Sequence, residues 1–139
     1  MEQKHILFVD NENHLLEPMK YILANNNFSA SVSTNGIHAL KIYNDSLNSV
    51  KPVDLLITNI QLNKMDGLEL VDEIRRTNLH LPILLTTNYS DKQLLNKIID
   101  KGCWGYIEKP INADQIIDYI NRIFKKEERL LSQLSQHLK

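Results

Sequence analysis

The sequence predicts an α/β domain built on a single parallel sheet with helices on both faces, and two observations carry that prediction. Five short apolar runs alternate with five stretches of helical periodicity, and every link between them is short, the rhythm that right-handed strand-helix-strand crossovers produce. Unusual polar residues follow four of the apolar runs. In a parallel sheet those positions open on one rim.

Taken in order, Ile6 to Val9 reads as a short buried strand that stops at Asp10-Asn11-Glu12-Asn13. Leu15, Leu16, Met19, Ile22 and Leu23 follow at helical spacing, with Asn13 or His14 available as a cap. Pro18, about one turn in, implies a late start or a slight bend. Asn25-Asn26-Asn27 ends this helix, and Ala30 to Thr34 is a more polar strand suited to a sheet edge. Gly36 to Ser46 reads as the second helix. The run from Val53 to Asn59 is the central strand, apolar enough to be buried on both faces, and a third helix begins near Asp66.

Pro82 opens the fourth strand, Ile83 to Thr86. Ser90-Asp91-Lys92-Gln93 has capping-box spacing ahead of Leu94, Leu95, Ile98 and Ile99, and Gly102 closes that helix. Gly105 to Glu108 is the last strand. The last helix starts at Asn112 and buries Ile116, Ile117, Ile120, Ile123 and Phe124. The domain is expected over residues 1–125. Residues 126–139 form either a frayed polar tail or a helical extension, because Leu130, Leu131, Leu134 and Leu138 continue the helical spacing.

Composition narrows the function classes. At 139 residues, 42% hydrophobic and 24% charged, the chain suits one globular domain that buries its own core. A formal charge of -1 offers no field for nucleic acid or an anionic membrane. One cysteine excludes an internal disulfide framework, and Cys103 reads as a small buried hydrophobe. Ile6 to Val9 is far too short for a signal or membrane segment, so the cytoplasm is the expected compartment. The five histidines show no metal-ligand spacing. With no Gly-rich phosphate loop and no Ser/His/Asp or Cys/His arrangement, an autonomous enzyme is not expected.

The strand ends carry Asp10, Asn11 and Glu12 after the first strand, Asn59 after the third, Thr86 after the fourth and Lys109 after the fifth. With Met65-Asp66-Gly67 and Lys109-Pro110 in register, the set resembles the receiver domain of two-component response regulators from about His5 to Phe124. The resemblance implies a flavodoxin-like sheet of order 2-1-3-4-5, with its site at the switch point between the first and third strands. It further implies a phosphoacceptor at Asn59, a Mg2+ site at Asp10, Asn11, Asn59 and the backbone carbonyl of Gln61, and a phosphate-pairing lysine at Lys109. Thr86 and Tyr106 correspond to the switch pair, and Lys109-Pro110 to a cis peptide.

The chain departs from that pattern at its centre. Acyl phosphate formation needs an ionised carboxylate, and a neutral amide oxygen is a poor nucleophile, so Asn59 is non-phosphorylatable. Asn11 and Asn59 also remove two carboxylates from the cation. That weakens Mg2+ by several kcal/mol, as an order of magnitude for charges about 4 Å apart, and no cofactor is expected beyond weakly held Mg2+. With fifteen asparagines in the chain, drift offers a bland account of either replacement. Lys109 is expected to pair with Asp10 and to donate to the amide oxygen of Asn59, locking the pocket.

Thr58, beside Asn59, is a hydroxyl that alternation points away from the rim. Trp104 is either an anchor for a partner or packing against the fourth helix. The reading is an atypical receiver acting by protein-protein interaction through its fourth helix, fifth strand and fifth helix. A histidine kinase, an output domain or a second copy in a homodimer are the expected partners. Two alternatives are a phosphorylation-controlled receiver, with Asn59 an introduced change or another acceptor in use, and a small-anion sensor using Lys109.

Overall fold

The computed structural model describes residues 3–88 and 92–138. Five strands, β1 (His5–Val9), β2 (Ser29–Ser33), β3 (Leu55–Asn59), β4 (Ile83–Thr87) and β5 (Gly105–Glu108), form one sheet in the order β2-β1-β3-β4-β5. Every pair is parallel. Five helices connect them or follow them: α1 (Leu16–Asn25), α2 (Gly36–Ser46), α3 (Gly67–Arg75), α4 (Lys92–Asp100) and α5 (Ala113–His137). This is the flavodoxin-like arrangement expected from the resemblance, with β2 at one edge as its polar sequence implies.

Strand alternation divides the core in two. Ile6 and Phe8 of β1 and Leu55 and Ile57 of β3 pack with Leu16, Met19 and Leu23 of α1 and Ile116, Ile120 and Ile123 of α5. Leu7, Val9 and Leu56 face the other way, onto Ala39 and Tyr43 of α2, Leu70, Val71 and Ile74 of α3 and Ile98 of α4. All residues of β1, β3 and β4 are buried. Each such aliphatic side chain contributes about 1.5–3 kcal/mol relative to exposure, and the sheet is thereby a fixed platform for its carboxyl rim.

Local signals set the helix starts. Asn35, Asp66 and Asn112 each accept a hydrogen bond from the backbone N–H three residues on, at 2.8, 2.9 and 3.0 Å, which fixes the first turns of α2, α3 and α5 at about 1 kcal/mol apiece. The first helix differs from expectation. Neither Asn13 nor His14 caps it: a 3-10 turn over Asn13–Leu15 comes first, and Leu15 precedes α1 without a side-chain cap. Pro18 then falls in the first turn, where its missing N–H costs no intrahelical bond. Asp54 lies outside β3 and uses Oδ2 to accept the His5 N–H at 2.8 Å. The capping spacing at Ser90 lies outside the described residues.

Past Lys125 the chain continues as helix to His137 rather than fraying. Leu130, Leu131, Leu134 and Leu138 are exposed along that extension. Among the described residues, no helix is long and apolar enough to cross a membrane.

Candidate functional site

β1, β3 and β4 deliver Asp10, Asn59 and Thr86 to the carboxyl rim, and the turn after β5 delivers Lys109. Register sets Asn59 directly opposite Thr86. The connection out of β3 turns tightly because Gly67 has no side chain: a Cβ there would lie 2.2 Å from the Asn59 carbonyl oxygen. Gly36 does the same for the loop between β2 and α2, where a Cβ would lie 2.2 Å from the carbonyl oxygen of Met65. The rim loops are thus held by backbone contacts that tolerate no larger residue.

Within this frame the polar side chains converge. Asp10 is fully buried, and its Oδ1 accepts the Glu12 N–H at 2.8 Å, curling the loop after β1 inward. Lys109 Nζ lies 2.7 Å from Asp10 Oδ2 and 3.9 Å from Glu12 Oε1. The close contact is ionic but poorly aligned for a hydrogen bond. Asp10 Oδ2, Lys109 Nζ and the Thr86 hydroxyl therefore have no hydrogen-bond partner among the described residues. Asn59, 2% exposed, donates through Nδ2 to Asn11 Oδ1 at 2.9 Å and to the Gln61 carbonyl at 3.0 Å. A backbone carbonyl only accepts, so Gln61 fixes which way the amide points, and Asn11 must turn its oxygen toward it.

The expected ion pair between Lys109 and Asp10 is present. The expected donation from Lys109 to Asn59 is not: no such hydrogen bond occurs, and the amide instead spends both of its N–H groups on Asn11 and Gln61. Alternation explains neither choice. It follows from where the loops after β1 and β3 place two acceptors around one nitrogen. Lys109-Pro110 is cis. Thr58 is fully buried and donates to its neighbour's carbonyl, Asn59 O, at 3.0 Å.

Tyr106 is half-buried and packs on the core layer that contains Ile98 of α4. Trp104 lies at the opposite end of β5 from Lys109. It packs on the α5 side of the sheet, under Lys126, whose Nζ is 5.7 Å from the ring centroid. The packing against α4 weighed for it from sequence is therefore replaced by packing on α5. Sequence reasoning missed Arg75. Its guanidinium donates to the carbonyls of Lys101, Asn78, Leu81 and Gly102 at 2.9–3.2 Å, tying the end of α3 to the end of α4. An arginine in the last turn of a helix is too common a signal to have found it.

The residues implied to hold Mg2+ do not fit that ion. Asp10 is the single carboxylate among the four positions, two are neutral amides, and Asn11 Oδ1 and the Gln61 carbonyl already accept the Asn59 N–H groups. Among the described residues, no three His, Cys, Asp or Glu side chains converge on a point. A divalent ion wants several hard oxygen ligands and no N–H aimed at it.

Fold and rim together define a doubly wound α/β domain whose buried polar cluster lies at the β1/β3 switch point. The family model for the response regulator receiver domain matches residues 6–121, and the chain belongs to that family. It is 28% identical over 115 residues to the transcriptional regulatory protein ZraR of Klebsiella oxytoca, covering 83% of this chain and 25% of the relative. It is 24% identical over 117 residues to the transcriptional regulatory protein GlrR of Escherichia coli, covering 84% and 25%. The chain spans 24% of one curated relative it matches and 47% of another. Among solved structures, the CheY-like receiver domain protein of Methanospirillum hungatei superposes with a TM-score of 0.81 at 21% identity, covering 91% of this chain and 98% of that one. Receiver domains are signalling modules that work with histidine kinases and output domains.

Proposed function

We propose that this chain is an atypical receiver that takes no phosphoryl group at Asn59 and signals through protein contacts. One observation carries the reading. The residue at the acceptor position is an amide whose nitrogen donates to Asn11 and Gln61, so it presents no ionised oxygen to a phosphoryl donor. Contacts through α4, β5 and α5, with a histidine kinase, an output domain or a second copy, are the route left for communication. The unbroken helix from Ala113 to His137 supports a role for residues 126–139 as a rigid connection rather than a tail.

The test is incubation with acetyl phosphate and Mg2+, followed by intact-mass measurement. No stable phosphate adduct is expected on the native chain. An adduct lost on hydroxylamine treatment would sink this reading in favour of a phosphorylation-controlled receiver that uses another carboxylate. A small-anion sensor has one point in its favour, the unpartnered donors of Thr86 and Lys109. The Asp10 carboxylate, 2.7 Å from that ammonium, opposes it, and calorimetry with inorganic phosphate is expected to show no saturable heat.

A further inference from the structure

We infer that the Asn59 amide and the Lys109 ammonium together take the place of the divalent cation, so that the rim of this receiver is closed and charge-balanced with no metal at all. Asn59 Nδ2 bridges Asn11 Oδ1 at 2.9 Å and the Gln61 carbonyl at 3.0 Å, two of the oxygens to which the resemblance assigns the ion. Lys109 Nζ takes a third, Asp10 Oδ2, at 2.7 Å. Of three oxygens that would coordinate a cation, two therefore accept an amide N–H and the third is ion-paired with an ammonium. These are contacts a metal would have to break, and breaking them leaves an amide N–H directed at the incoming charge.

The replacements at Asn11 and Asn59 make one physical set. A carboxylate at either position would add negative charge beside the buried Asp10 and the nearby Glu12, with Lys109 as the cation facing them. A neutral amide at both keeps the pocket close to balance without an ion. The amide at Asn59 adds what a carboxylate cannot, two N–H donors, and these tie the loop after β1 to the loop after β3. The close approach of Gly67 to the Asn59 carbonyl holds the backbone of the bridging residue in place. The rim loops keep one arrangement whether or not Mg2+ is present, and a partner reading that face meets a constant surface.

This inference is separate from the proposed function, because a rim that bound Mg2+ without accepting phosphate would overturn it and leave that reading standing. The experiment compares the native chain with Asn59→Asp by calorimetric titration with MgCl2 and by hydrogen exchange with and without Mg2+. For the native chain we expect no saturable heat and unchanged exchange across residues 10–13 and 60–66. Asn59→Asp loses both donors and gains a second carboxylate. It is expected to bind Mg2+ at least about tenfold more tightly than the native chain, with loops that exchange faster in chelator and slow again when Mg2+ is added. Asn59→Ala, which removes the donors without adding charge, is expected to exchange faster in the same two loops and to stay indifferent to Mg2+. It serves where Asn59→Asp does not fold in chelator. Saturable Mg2+ binding by the native chain, Mg2+-dependent protection of its loops, or loops in Asn59→Ala as protected as native would each overturn the inference.

Discussion

Lys109 Nζ lies 2.7 Å from Asp10 Oδ2, joining the turn after β5 to the end of β1, with side chains 7% and 0% exposed. A pair this deep contributes little net stability over an apolar pair, yet losing one member leaves a buried charge uncompensated. Asp10→Asn and Lys109→Met are each expected to lower unfolding free energy by about 3–5 kcal/mol, and the double variant to recover a large part of the loss. Urea unfolding of the four proteins measures the coupling. Single variants within about 0.5 kcal/mol of native would show that the charges are not buried together.

The glycines separate by what lies against them. A Cβ on Gly67 would meet the backbone oxygen of Asn59 at 2.2 Å, whereas one on Gly105 would meet the Tyr119 hydroxyl at 1.9 Å. The ring of Tyr119 can swing away, but the strand end cannot. Gly67→Ala is therefore expected to destabilise by about 3 kcal/mol or more, and Gly105→Ala by about 1 kcal/mol. Thermal unfolding of both variants ranks them, and a reversed order would refute the assignment of rigidity to the β3 rim.

Burial pushes the Cys103 thiol up to about 11, with Arg75 and Lys101 pulling it back and Asp72 adding to the rise. Since the thiolate is the reacting form, alkylation by iodoacetamide near neutral pH is expected to run about two orders of magnitude slower than for a free cysteine. Labelling in native buffer and again in urea distinguishes this from simple inertness, because the unfolded chain regains the ordinary rate.

Burial also raises the Glu127 carboxyl above its ordinary value, while Lys4 lowers it and Asp54 raises it further. The folded protein then holds that proton more tightly than the unfolded one. This group therefore subtracts stability as pH rises through the window from the unfolded value, about 4.3, up to the raised folded one, and returns it as pH falls. Because the side chain is only partly buried, solvent screening keeps the effect below about 1 kcal/mol. Glu127→Gln is expected to melt slightly higher than native at neutral pH and to lose that advantage under acid conditions. Melting curves across the pH range check the sign.

Strand and helix positions were readable because each apolar run carries its own period, and because Asp66 and Asn112 mark helix starts through neighbours three residues away. The lysine-to-aspartate pair was readable as well, since parallel strands bring Asp10 and Lys109 to one rim whatever the loops do. That Asn59 carries no ionisable oxygen needed no structure at all, for this is true of an amide in any fold.

What Asn59 does instead was decided by tertiary structure. The direction of its amide depends on where the loops after β1 and β3 set Asn11 Oδ1 and the Gln61 carbonyl, and no periodicity encodes the relative placement of two irregular loops. The same holds for Trp104, which the return of α5 across the sheet covers with Lys126, and for Arg75, whose four carbonyl acceptors belong to two separate stretches of backbone. Chemistry confined to one residue is legible in a string of letters. Hydrogen-bond direction is a property of the space between segments, and folding is what defines that space.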